Sequence, residues 1–107
     1  MEIKPRIYLS GPITGVENYK QSFDQMEEQL KGIGYTRILN PAWLDMVITE
    51  GQYEEYMSAC LNLIDICDIV VMLPGWEKSA GANREMGYAL GKEKLVIDWE
   101  KRGEEWR

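Results

Sequence analysis

Residues Ser79-Ala80-Gly81-Ala82-Asn83-Arg84-Glu85-Met86-Gly87 combine a helix-capping serine, small residues and a carboxylate one turn further on. Ser79 is a good N-cap for a helix over 80–90, with Gly91 as its stop. The free N–H groups of residues 80–82 and the Ser79 hydroxyl then form an anion site, and Gly81 and Ala82 let a ligand come close. Positive potential at such a helix start favours an ionised Glu85. A carboxylate beside a crevice can attack an anomeric carbon, as in retaining glycosidases. The plainer reading of one helical glutamate is a solvated surface charge.

A second candidate is Tyr8-Leu9-Ser10-Gly11-Pro12-Ile13-Thr14-Gly15, a strand end running into a Gly-containing turn. Such a turn brings bare backbone to a ligand, or simply links two elements. It matches neither Gly-x-Gly-x-x-Gly nor the P-loop pattern. Trp76 and Trp43 lie on candidate rim loops, where they stack on a planar base or cap the core. Asp68 opens a strand and caps backbone there, or supports the site from beneath. Cys60 and Cys67 read as reduced, half-buried thiols of a cytoplasmic protein, and two thiols without histidine make a weak zinc site. No metal or organic cofactor is implied. With no histidine in the chain, Ser-His-Asp and Cys-His catalysis are excluded.

Elements that would hold these residues follow from patterning. Strands are expected at 5–10, 35–39, 68–73 and 94–98. Helices are expected at 18–31, 53–66 and 80–90, the first opened by an Asn18/Gln21 capping box and stopped by Gly32 and Gly34. Residues 41–52 read as a short helical turn or part of a lid, and the charged tail 99–107 as loose. Near-continuous apolar residues at 69–73 suit a central parallel strand. The order β-α-β-α-β-α-β gives an α/β, flavodoxin-like or Rossmann-like three-layer sandwich with four or five parallel strands. Ligands of such sheets sit beyond the strands' C-terminal ends, which selects loops 10–17, 40–52 and 74–81.

At 107 residues, 45% hydrophobic and 28% charged, the chain suits one globular domain, 1–107. Its net charge of −6 argues against a partner made of polymeric nucleic acid. It leaves room for one small anion. No apolar run is long enough to span a membrane, and the N-terminus lacks the apolar segment of a signal peptide.

Taken together, the two loops resemble the nucleoside 2-deoxyribosyltransferase superfamily, and most closely its short branch, the domain of unknown function family 4406. The likeness runs over roughly residues 6–98: the first-strand loop from Tyr8 to Gly15, Asn40-Pro41-Ala42, and the stretch from Cys67-Asp68 to Glu85. It implies that Glu85 is a nucleophile toward C1′ of a 2-deoxyribonucleoside or its 5′-monophosphate, with a free base or water resolving the intermediate. Tyr8 would lie near the sugar or the nucleophile. Asp68 would support the site. Ser10, Gly11, Pro12, Ile13, Gly15, Trp76, Ser79, Gly81 and Ala82 would contact substrate. Ser79 would read a 5′-phosphate. Relatives are usually homo-oligomers whose neighbour closes the site.

Two positions depart from the pattern. Relatives often carry, eight residues before the strand-opening Asp68, an Asp that helps protonate the leaving base; here Cys60 stands there. The monophosphate hydrolases tend to have an Arg where Thr14 stands. General acid help is worth about 10²–10⁴-fold, so a non-catalytic nucleotide-binding or sensing module is the alternative, and a structural partner-binding domain a third.

Overall fold

The computed structural model describes residues 4–13, 15–46 and 53–102. Four strands, β1 (Arg6–Ser10), β2 (Arg37–Leu39), β3 (Ile69–Met72) and β4 (Leu95–Asp98), alternate with helices α1 (Tyr19–Gly32), α2 (Tyr53–Ile66) and α3 (Ala80–Gly91). Short 3₁₀ turns occupy Pro41–Met46, Trp76–Lys78 and Trp99–Lys101. The strands form one parallel sheet in the order β2-β1-β3-β4. This is the expected flavodoxin-like α/β sandwich with four strands, and its order reverses between β1 and β3.

Period-two alternation divides the core. Ile7, Leu9, Val71 and Leu73 pack under Phe23, Met26 and Leu30 of α1. Tyr8, Val70 and Met72 face the other way, against Cys60 and Ile64 of α2 and Ala82 and Ala89 of α3. Because β3 is covered on both faces, it carries no polar residue.

Several boundaries correct the sequence expectations. Asn18 caps α1 by position but makes no side-chain hydrogen bond, so the capping box does not form. Helix α3 runs through Gly91, and its left-handed exit falls on Glu93, at φ 61°. There Lys94 N–H donates back to the Ala89 carbonyl. The 41–52 segment begins as a helical turn through Met46, and 47–52 lie outside the described residues. Asn40, read as part of a ligand loop, is 3% exposed. Its amide donates to Asp24 and Glu27 of α1 while its carbonyl oxygen accepts from Ala42 N–H.

Candidate active site

Strand β1 sends Tyr8 and Ser10 to one face, because they lie two residues apart. Helix α3 turns Ala82, Glu85 and Ala89 toward that face, at helical spacing. The two elements meet at the Glu85 carboxylate. The Tyr8 hydroxyl donates to Oε2 at 2.7 Å and the Ser10 hydroxyl to Oε1 at 2.7 Å. Both donors are fully buried, and Glu85 is 5% exposed. It is therefore not a solvated surface charge.

Burial pushes the Glu85 carboxyl above its ordinary value, against the hydrogen bonds from Ser10 and Tyr8 and the adjoining Cys60 thiol. The net shift is thus opposite in direction to the one expected from the helix start alone. Burial, then the Glu85 charge, pushes the Tyr8 phenol well up and keeps it a donor. The same two causes push the Cys60 thiol to about 12, so it is a neutral, poorly acidic group at neutral pH.

Above this triad opens a crevice of about 790 Å³, with Glu85 in its wall. That volume suits a nucleoside-sized ligand. It lies at the reversal point between β1 and β3. Gly11, Pro12 and Ile13 form one wall, Tyr53, Tyr56 and Met57 of α2 another, and Lys78, Ser79, Gly81 and Ala82 the third.

The expected site residues separate. Pro12, Ile13, Ser79, Gly81 and Ala82 line the crevice. Gly11 does too, but a Cβ there would lie 2.9 Å from Leu73 Cβ, so packing already requires the glycine. Ser10 is turned to Glu85 and is not part of the lining. Gly15 is an exposed turn residue at φ 77°, off the crevice wall. Ser79 caps α3, accepting from Ala82 N–H at 3.1 Å, which leaves Ala80 and Gly81 to offer free N–H groups. Trp76 is off the crevice wall and covers the core, one of its two expected roles: its indole N–H donates to Asp98 at 3.0 Å and its ring packs on the core. Trp43 is exposed and also off the wall. Asp68 is removed from the site. It accepts from Arg6 N–H at 2.8 Å at the N-terminal edge of the sheet, opposite the crevice. Thr14 lies outside the described residues.

Sequence reasoning missed Tyr53, Tyr56, Met57 and Lys78. The first three form the same helix side as Cys60, and periodicity cannot tell a core-facing side from a cleft wall. Among the described residues, no cluster of three His, Cys, Asp or Glu side chains is arranged to hold a metal, and no helix is long and apolar enough to cross a membrane.

Residues 5–98 match the family described as Domain of unknown function (DUF4406). The chain belongs to that family. Among solved structures, this DUF4406 chain is similar to a 2-desoxiribosyltransferase from Leishmania mexicana, with a TM-score of 0.64 and 20% identity. The alignment covers 86% of this chain and 61% of the other, so the DUF4406 chain spans about three-fifths of that protein's length. The likeness shows a shared fold. No curated protein matches the DUF4406 chain in sequence.

Proposed function

We propose that this DUF4406 chain cleaves the N-glycosidic bond of a 2-deoxyribonucleoside or its 5′-monophosphate, with Glu85 as nucleophile. The observation that carries the reading is a buried carboxylate, held on both oxygens by hydroxyl donors, in the wall of a nucleoside-sized crevice at the sheet's reversal point. A carboxylate oxygen attacks C1′ and forms a C–O bond. The electron pair of the C1′–N bond leaves with the base, which takes its proton from water. Water, or a second base, then attacks C1′ and returns the pair to Glu85. Tyr8 keeps the carboxylate oriented. Lys78 and the N–H groups of Ala80 and Gly81 meet the 5′ end of the substrate, where Ser79 shapes the cradle by capping α3.

Base release from a panel of deoxynucleosides and their 5′-monophosphates tests this. Glu85→Ala is expected to lower release by at least about a thousandfold. The small-molecule partner, a homo-oligomeric state and a cytoplasmic location complete the proposal; sedimentation of the purified protein tests the second.

A nucleotide-binding module is the second reading, favoured by Cys60. A thiol pushed up to about 12 is a poor proton donor for a leaving base. Saturable binding without base release from any member of the panel would establish it.

A further inference from the structure

The Glu85 carboxylate faces a short inventory of groups. From β1 come Tyr8 and Ser10, and from α2 the neutral Cys60 thiol. Strand β3 contributes apolar Val70 and Met72 to this face. On α3 itself, Arg84 is turned away and holds Glu54 through its two terminal guanidinium nitrogens, at 3.0 and 3.2 Å. Lys78 stands elsewhere on the crevice wall. Two hydroxyl protons, first, and then the Cys60 thiol oppose the desolvation of a carboxylate that is 5% exposed. Tyr8 serves one oxygen and Ser10 the other.

Ser10 is the more constrained of the two donors. Its side chain has a single rotatable carbon link, and its carbonyl accepts from Leu73 N–H at 2.7 Å, where Ser10 and Met72 are the last pair of β1 and β3. The next residue, Gly11, runs so close to Leu73 that a Cβ would meet Leu73 Cβ at 2.9 Å and Phe23 Cζ at 3.5 Å. The Ser10 backbone is thus pinned, and a single torsion brings its hydroxyl to Glu85 Oε1, an arrangement suited to preorganised electrostatics.

We propose that Ser10, read from sequence as a substrate contact, is instead a positioning residue that orients Glu85 and holds it ionised, and that the Gly11–Leu73 contact sets the place of Ser10. The catalytic part of this assignment rests on the reading of Glu85 as nucleophile. The effect on ionisation does not.

The test is direct titration of the Glu85 side-chain carboxyl by carbon-13 NMR in the free protein, with the signal assigned by its loss in Glu85→Gln. Ser10→Ala is expected to move the titration up by about one pH unit, the equivalent of one hydrogen bond to a charged group. Ser10→Thr keeps the hydroxyl and is expected to stay nearer the wild type. Gly11→Ala, which displaces the backbone and keeps the serine, is expected to move it upward as Ser10→Ala does. In base release, the acidic limb of kcat/KM follows the titration in Ser10→Ala, and activity returns at higher pH. A merely structural role would lower activity at every pH alike. An unmoved Glu85 titration in folded Ser10→Ala overturns the proposal, as does an acidic limb that ignores a moved titration. Should Glu85→Gln keep base release, the nucleophile reading fails, while the titration still decides what Ser10 does to the carboxylate.

Discussion

Glu85 sits where an ionised carboxylate is costly, and that cost has a sign. Its folded value is raised above the ordinary 4.5, chiefly by burial. The folded state therefore holds more protons than the unfolded state between the two values. Stability falls as pH rises through that window and stays lower above it. Glu85→Gln removes the titration while keeping the shape. It is expected to be at least as stable as wild type at pH 7 and to lose the decline in stability that begins above about pH 4.5. Urea unfolding of both proteins from pH 4 to 8 measures this. A wild type more stable than Glu85→Gln at neutral pH would show that the Ser10 and Tyr8 hydrogen bonds outweigh desolvation. At this scale the sequence was legible for Glu85, Tyr8 and the Ser79 cap. For Asp68 and Trp76 it left two roles open, and the structure takes the plainer one in each: Asp68 caps the Arg6 N–H and Trp76 covers the core. A residue type and a spacing do not say which edge of a sheet a side chain reaches, nor whether an indole N–H already has a partner, as Trp76 has in Asp98.

Helix α3 ties structure to chemistry at both its ends. At the start, Ser79 accepts from Ala82 N–H, and the Asn83 amide spans the Trp76, Glu77 and Ser79 carbonyls at 3.3, 3.0 and 2.8 Å. Ser79→Ala is expected to cost about 1 kcal/mol by removing the cap. Ser79→Asp caps as well as serine and adds a negative charge to the cradle. It should therefore keep the melting temperature and lose preference for a monophosphate over the free nucleoside. A monophosphate preference unchanged in Ser79→Asp would take the phosphate away from this helix start. At the far end, Glu93 holds φ 61° without being glycine. Glu93→Gly is expected to gain up to about 1 kcal/mol, since the left-handed conformation strains a residue with a Cβ. Chemical denaturation reads both effects. The bounds of α2, 53–66, and the position of α3 were legible because apolar residues recur at helical spacing between clear breakers. The exit of α3 was not. Glycine at 91 looked like the natural stop, but the pairing of Lys94 N–H with the Ala89 carbonyl carries the turn two residues further.

Across the whole molecule, strand order is what creates a site. The alternation of elements made the parallel sheet legible, and the reversal between β1 and β3 leaves a crevice into which the loops after β1 and β3 and the start of α2 converge, while no described residue of the expected 40–52 loop lines it. The α2 wall stayed hidden, because Tyr53, Tyr56 and Met57 continue the stripe that Cys60 and Ile64 bury. Such a crevice makes a prediction that needs no turnover. A ligand that binds only the native state raises its stability by about 2.7 kcal/mol at one hundred times its dissociation constant. For a domain of about 100 residues, each kcal/mol moves the melting temperature by roughly 4–8 °C, so a shift on the order of 10 °C is expected. Glu85→Gln is the protein to use, since it leaves the ligand intact. A deoxynucleoside 5′-monophosphate should stabilise it more than the free deoxynucleoside, and Lys78→Ala should erase that difference while leaving the nucleoside shift in place. Stabilisation by both ligands in equal measure would move the phosphate out of the Lys78 end of the crevice. No stabilisation by either would leave the fold with a crevice for some other ligand, and would remove the nucleotide-binding reading together with the catalytic one.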